Sequence, residues 1–232
     1  MSEKPVYRTE KKFLLPETQL QRLESKIRLI AFPDSNADET GKYEVRSLYF
    51  DSPDDSCYYE CKAGVDNRKK YRIRIYNCSE DVIHLECKAG VHGKKYKQTV
   101  PITKENYDAI LSGKGFGSEI ASETAAEFDL KLKQGFLPKV TVAYLRTAYV
   151  YPAGNVRITI DRDISALPSE SLFDASAGGI KVLSPGKAIL EMKYDDVLPQ
   201  AIMDIFAQEK NMSRCSFSKY VVCRDALKGV LR

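Results

Sequence analysis

Polar and apolar residues alternate through six segments of the chain, the spacing that places side chains on opposite faces of a β-strand. In residues 6–13 the polar set is Arg8, Glu10 and Lys12. In residues 70–76, Lys70, Arg72 and Arg74 are interleaved with Tyr71, Ile73 and Ile75. The beat returns as His84, Glu86 and Lys88 in 82–89, and as Tyr144 and Arg146 in 140–150. It returns again as Arg157, Thr159 and Asp161 in 156–163, and as Glu191 and Lys193 in 188–194. Each segment predicts a strand with one apolar face and one face on which cations mix with a few carboxylates. A half-buried sheet with its charged side in water explains any one strand taken alone. Six of them, with Arg and Lys recurring beside Glu, fit better a closed barrel with a charged lumen and an apolar exterior under helices. Low-dielectric walls around such a lumen concentrate positive potential, which suits a polyanion.

The remaining elements follow from periodicity and turn chemistry. Pro16 opens a helix reaching about Ile30, with Leu20, Leu23, Ile27 and Ile30 on one face. A polar link covers 33–42, and 43–50 forms a strand closed by the Asp51-Ser-Pro-Asp turn. Residues 58–62 make a short helical turn. Strands 68–76 and 82–88 form a hairpin over 77–81, and 94–101 adds another strand. Helices are expected at 103–111, where Thr103 and Asn106 have helix-start chemistry, and at 119–133, joined by the Gly113–Gly117 link. Long strands at 138–151 and 156–164 precede a loop over 165–185. A strand at 188–194, a helix from Pro199 to about Glu209 and a last helix from near Ser218 complete the chain. With no internal repeat and no composition break, residues 1–232 are expected to form a single domain.

Composition narrows the partners. Among 232 residues, 36 Lys and Arg against 32 Asp and Glu leave a formal charge of only +4, with no run of like charge. Basic character borne by strands favours a compact anionic ligand and not nucleic acid. No segment has the ~18 apolar residues of a membrane span, and the polar N-terminus lacks a signal-peptide core, so a cytoplasmic location is expected. Six cysteines without a C-x-x-C pair are expected to be free thiols. Cys57 and Cys61 with two distant histidines make no zinc site.

Arg72 and Arg74, one strand repeat or roughly 7 Å apart, match the span of two or three phosphates; a cross-strand ladder of ion pairs is the structural alternative. Glu10, Glu86, Asp161 and Glu191 are the carboxylates among the cations, and Glu191 is the metal-ligand candidate, with neutralisation of its neighbours as the alternative role. His84 and His92 form no nucleophile pair, and Gly113-Lys-Gly-Phe-Gly lacks the spacing of a phosphate loop. Ser218 has N-cap chemistry, which places Lys219 at a helix N-terminus, where backbone N–H groups favour phosphate.

Eight short motifs occur in one order: Arg8-x-Glu-x-Lys-Phe, Ser47-Leu-Tyr-Phe-Asp-Ser, Arg72-Ile-Arg, His84-Leu-Glu-Cys-Lys, Ala143-Tyr-Leu-Arg, Val156-Arg-Ile-Thr-Ile-Asp, Leu190-Glu-Met-Lys-Tyr and Ser216-Phe-Ser-Lys-Tyr. From about Val6 to Leu227 this order resembles the VTC domain, the polyphosphate polymerase domain of the vacuolar transporter chaperone complex and a branch of the CYTH-like triphosphate tunnel metalloenzymes. The resemblance implies an α+β fold, a closed antiparallel eight-stranded β-barrel (triphosphate tunnel) with helices packed outside. It implies Mn²⁺- or Mg²⁺-dependent transfer of the ATP γ-phosphate to inorganic polyphosphate. By motif, Lys12, Arg72, Arg74, Lys88, Arg146, Arg157, Lys193 and Lys219 would bind triphosphate and chain, with Tyr144 and Ser218 beside them and Glu191 as metal ligand. Arg72, Arg74, Arg146, Arg157 and Glu191 would be the catalytic set. Lys97, or else Lys95, would be a further tunnel lysine. Hydrolytic members begin Glu-x-Glu-x-Lys; here Arg8 stands at the first glutamate, which favours holding phosphate over activating water. A tunnel triphosphatase and a non-catalytic polyphosphate- or nucleotide-binding module are the alternatives. The fungal proteins' inositol-phosphate sensing domain and membrane helices have no counterpart in this sequence, so the resemblance implies neither regulation by that route nor translocation into a vacuole, and it leaves protein partners open.

Overall fold

A computed structural model of the chain describes residues 8–91, 94–116 and 122–229. Strand β1 (Thr9–Pro16) leads directly into α1 (Glu17–Ile27), with Pro16 at the N-cap. There follow β2 (Phe32–Pro33), β3 (Lys42–Asp51), α2 (Ser56–Lys62), β4 (Lys69–Tyr76), β5 (Ile83–Val91) and β6 (Lys94–Ile102). Helices α3 (Lys104–Leu111) and α4 (Glu123–Lys133) precede the long β7 (Leu137–Tyr151) and β8 (Val156–Leu167). Strands β9 (Ile180–Lys181) and β10 (Lys187–Tyr194) and helices α5 (Gln200–Ala207) and α6 (Lys219–Leu227) complete the order. Thr103 and Asn106 form a reciprocal capping box on α3, as their chemistry predicts.

Every strand belongs to one antiparallel sheet, whose path is β1-β10-β8-β7-β3-β4-β5-β6, with β2 added to β7 and β9 to β8. Its end strands, β1 and β6, share no ladder among the described residues, so the hydrogen bonding is that of an open sheet and not of the closed eight-stranded barrel expected. The sheet nevertheless curls: Lys88 of β5 reaches Glu10 of β1, Nζ to Oε2 3.2 Å. Lysine on an edge strand discourages further strand pairing, and β6 carries Lys97 with its side chain 48% exposed.

Register settles which side chains share a face, because directly opposed residues point the same way. Lys12 opposes Glu191, which opposes Thr159; Glu10 opposes Lys193, which opposes Arg157. Tyr49, Arg72 and Glu86 form one row, and Ser47, Arg74 and His84 the next. Arg146 opposes Tyr43 on one side and Asp161 on the other. These residues line the concave side.

The alternate positions build the outer core. Leu48, Phe50, Tyr71, Ile73 and Leu85 pack beneath Tyr107 and Ile110 of α3 and Phe128 of α4. Phe128 stands edge-on to Phe50 at 5.0 Å between ring centroids and stacks on Tyr71 at 5.3 Å. On the other half, Leu15, Ile158, Ile160 and Leu190 meet Leu20, Leu23 and Ile27 of α1 and Ile202 of α5. The apolar faces thus lie under helices, as the alternation implied.

Helix α6 takes the opposite side. Its Tyr220, Val221 and Cys223 join Val140, Val142, Ile164, Ala166 and Ile189 in a third apolar cluster. Val142 opposes Ser47, and Ile189 opposes Asp161, so this cluster is concave-side and α6 lies across one end of it. A register shift between Ala143 and Leu145, with Asp163 at φ 53°, lets both Asp161 and Ile164 face inward although they are three residues apart.

Several boundaries differ from expectation. Strand β1 runs on to Pro16 because Leu14 to Pro16 stay paired with β10. Phe32–Pro33 pairs with β7 inside the expected link region. The expected loop over 165–185 contains the end of β8 and its partner β9. The expected start of β1 at 6–7, His92, and the first residues of the helix at 119–133 lie outside the described residues. Six α-helices are described, none long and apolar enough to cross a membrane. All six cysteines are free.

Candidate functional site

Three ionic clusters lie on the concave face. In the first, the Lys12 ammonium stands 2.9 Å from Glu10 and 3.3 Å from Glu191. Lys193 is 2.8 Å from the other Glu191 oxygen, and Lys88 is 3.2 Å from Glu10. Strands β1, β10 and β5 supply these groups at alternate positions, so an alternating sequence becomes one patch only through the curl of the sheet.

The second cluster centres on Glu86, which is 1% exposed. Arg72 grips one of its oxygens through Nε and a terminal nitrogen, at 2.7 and 2.6 Å. Lys97 takes the other oxygen at 2.7 Å, and Arg74 lies 3.7 Å away. Arg72 also donates to the Tyr49 hydroxyl at 2.7 Å, and Arg74 donates to Ser47 Oγ at 3.0 Å and the Tyr144 hydroxyl at 3.2 Å.

The third centres on Asp161, which has no exposed surface. Arg146 donates to both its oxygens, at 2.6 and 2.8 Å, while Lys219 approaches one of them to 2.6 Å. Both cations also lie over the Tyr144 ring, the Arg146 guanidinium 5.1 Å and the Lys219 ammonium 4.8 Å from its centroid, an electrostatic contact with the ring face. Lys219 is the first residue of α6, and Lys12 donates to the Phe217 carbonyl just before it at 3.3 Å.

Burial opposes the charged forms of Glu10, Glu86, Glu191, Asp161, Lys12, Arg72 and Arg146, and their neighbours overrule it. Glu10, which burial and the Glu191 charge push up, is held at about 2 by Lys88, Lys12 and Lys193. Burial likewise opposes ionisation of Glu191, but Lys193, Lys12, Lys219 and Arg146 hold it far below the carboxylate range. Asp161 settles at about 2 because Arg146 and Lys219 outweigh its burial. Lys97 is an exception, lowered by burial despite Glu86, and so is Lys88. Burial lowers it to about 7, aided by Lys12 and Lys193, with Glu10 and Glu191 only partly opposing.

Lys12, Arg72, Arg74, Lys88, Lys97, Tyr144, Arg146, Lys193, Lys219 and Glu191 are therefore brought onto one concave surface, although they derive from seven elements. Arg157 shares the face but is turned to Asp34, at 3.1 and 2.8 Å, and to the Tyr43 hydroxyl at 3.0 Å. Ser218 holds the N-cap position of α6, yet its hydroxyl makes no capping bond. Arg8 pairs with Asp195 at 3.1 Å and does not join the three clusters. The side chain of Lys95 lies outside the described residues.

Among the described residues no three ligating side chains gather into a ready-made metal cage. Glu10 and Glu191, which share Lys12, are the carboxylate pair able to hold a divalent cation. Mg²⁺ and Mn²⁺ are commonly held by one or two carboxylates, the rest of the sphere being substrate phosphate and water. Such a donor pair fits that habit.

Sequence reasoning assigned no role to Tyr49 or Tyr220 and gave Asp51 only a turn. The Ser47-Leu-Tyr-Phe-Asp-Ser motif holds two of them, but their partners lie about 170 positions away in α6. Asp34, which captures Arg157, sits in a segment read as a polar link.

Two solved structures have this architecture. One, described as a candidate adenylate cyclase from Vibrio parahaemolyticus, has a TM-score of 0.53 at 12% identity, over 94% of this chain and 98% of that one. Another, described in the same way and from Bacillus halodurans, has a TM-score of 0.52 at 14% identity, over 88% and 87%. At such identities they support the fold alone. No curated protein matches the sequence. The VTC domain family matches residues 7–228. That span runs from the start of β1 to the end of α6 and takes in every cationic strand of the concave face. The chain belongs to the VTC domain family.

Proposed function

We propose that this protein is a metal-dependent polyphosphate polymerase, a phosphotransferase that moves the γ-phosphate of ATP onto inorganic polyphosphate in the cytoplasm. The observation that carries the reading is the convergence of Arg72, Arg74, Arg146, Lys12, Lys88, Lys97, Lys193 and Lys219 on one concave surface. Cations outnumber carboxylates there, leaving a net positive surface for a polyanion. Guanidinium groups meet phosphate oxygens in planar pairs, and the ammonium groups act as mobile point charges.

In this reading Arg72, Arg74 and Arg146 hold the triphosphate oxygens, while Lys12, Lys88, Lys97 and Lys193 follow the chain and Lys219 approaches from α6. Arg157 guards the edge of the face, tied to Asp34. A terminal phosphate oxygen of the chain attacks the γ-phosphorus, the bond to the β-bridging oxygen breaks and ADP leaves. No side chain becomes covalently modified. The protein contributes position and preset charge, which phosphoryl transfer chiefly requires. A Mn²⁺ or Mg²⁺ ion held by Glu191, with Glu10 beside it, would neutralise charge on the phosphates.

Incubation with ATP and Mn²⁺, followed by gel staining for polyphosphate, tests the reading. Chains are expected from the wild type, and Arg74→Ala is expected to lose at least about tenfold in turnover. Unchanged turnover in that variant overturns the assignment. One observation favours a second reading: α6 packs across one end of the concave face, which would limit the length of a bound phosphate chain and suit hydrolysis of a short triphosphate. Orthophosphate as the only product would select that reading, and tight binding without metal-dependent turnover would select a non-catalytic module.

A further inference from the structure

The carboxylate of Asp51 is wholly buried, and it is not one of the ionic clusters. One oxygen accepts from the backbone N–H groups of Ser52 and Cys57, each at 2.8 Å. The other accepts from the Tyr58 N–H at 2.9 Å and from the Tyr220 hydroxyl at 2.5 Å. Counting the Ser52 hydroxyl at 3.3 Å, five donors on one carboxylate at the start of α2 fix its position, and through the Tyr220 hydroxyl they fix the Tyr220 ring of α6.

That ring, 1% exposed, stacks on Tyr49 with 5.0 Å between centroids and 23° between planes. The Tyr49 hydroxyl in turn accepts from the inner terminal nitrogen of Arg72 at 2.7 Å. Glu86 restrains the opposite edge of the same guanidinium. An arginine that must meet phosphate in a planar pair gains from a fixed plane, because misplacement by about an ångström is costly in such chemistry.

We propose that Asp51 is a positioning residue for the anion site, acting through Tyr220 and Tyr49 to set the orientation of the Arg72 guanidinium. The turn after β3 and the terminal helix α6 thereby share control of a phosphate-binding arginine neither of them contains. This inference rests on the reading that Arg72 binds phosphate.

A double-mutant cycle tests it, with inorganic tripolyphosphate as the probe and its dissociation constant measured by calorimetry. Tyr220→Phe keeps the stacked ring and leaves Asp51 three N–H donors, so the fold is expected to persist, checked by thermal melting. The variant is expected to weaken tripolyphosphate binding by about three- to tenfold, the scale of one lost hydrogen bond. In an Arg72→Ala background the same change is expected to cost nothing further, and Tyr49→Phe is expected to behave likewise. An equal cost in both backgrounds overturns the relay while leaving the anion site standing, as does Tyr220→Phe binding like the wild type. Arg72→Ala binding as tightly as the wild type overturns the anion reading itself and the relay with it.

Discussion

The Lys12 ammonium lies between two carboxylates, 2.9 Å from Glu10 and 3.3 Å from Glu191, on adjacent strands β1 and β10. Without it the two acids would face each other across the first cluster. Their mutual repulsion already pushes Glu10 up, and the lysines bring it down to about 2. A carboxylate lowered in this way contributes stability that is full above its ordinary value and is lost as pH falls through the folded value. Lys12→Met should therefore raise the acid limb of the stability profile and cost on the order of 3 kcal/mol near neutrality. Melting temperatures across pH 3 to 7 would measure this, and an unshifted acid limb would refute it.

If the concave face binds anions as proposed, Lys88 should make that binding respond to pH near neutrality. Burial and the neighbouring ammonium groups bring it to about 7, so it gains charge as pH falls through that value. Tripolyphosphate affinity relative to a Lys88→Arg variant, which stays charged, should rise as pH drops from 8.5 to 6. The ratio of the two dissociation constants cancels titration of the ligand. The same lysine penalises the fold below pH 7, and that penalty is relieved between there and its ordinary range, since the unfolded chain holds the proton longer.

Glu191→Gln keeps the side chain's size and removes its charge. Metal-dependent turnover should then need at least about tenfold more Mn²⁺ for half-maximal activity, the lower end of what even supporting groups cost a metal site. A Mn²⁺ titration of activity reads this directly, and an unchanged midpoint would remove Glu191 from the metal assignment.

Asp161→Asn strips the shared partner from Arg146 and Lys219, two cations held against a carboxylate with no exposed surface. Removing one member of a buried pair costs roughly 3–5 kcal/mol. Denaturant unfolding should register that loss, and tripolyphosphate should recover part of it by binding the released cations.

The inner face was legible in the sequence because a strand has a period of two, and the alternation of Arg72 and Arg74 with Ile73 and Ile75 needs no tertiary knowledge. The ends of the sheet were not. Whether β1 pairs with β6 depends on accumulated twist and curl across eight strands, which no local pattern encodes. Charge partners were not legible: alternation offered Glu191 only a general role of neutralising its neighbours, and its pairing with Lys12 needed the β1–β10 register. Arg157 and Asp34, 123 positions apart, meet because the short β2 brings a polar segment onto β7. Asp51 was read from its Ser-Pro context as a turn former, which it is. Its buried bond to Tyr220 depends on where α6 crosses the sheet, a fact written in packing and not in spacing.

The clusters on the concave face already hold anions of their own. Glu86 occupies Arg72 and Lys97, Asp161 occupies Arg146 and Lys219, and Glu191 occupies Lys12 and Lys193. Each is a tethered competitor that no wash removes, so an incoming ion must displace it before gaining a cation. Chloride or orthophosphate would challenge only one such competitor at a time. On the proposed reading, a ligand with several charged oxygens on one backbone would unseat several together, and length itself would become the property this surface selects.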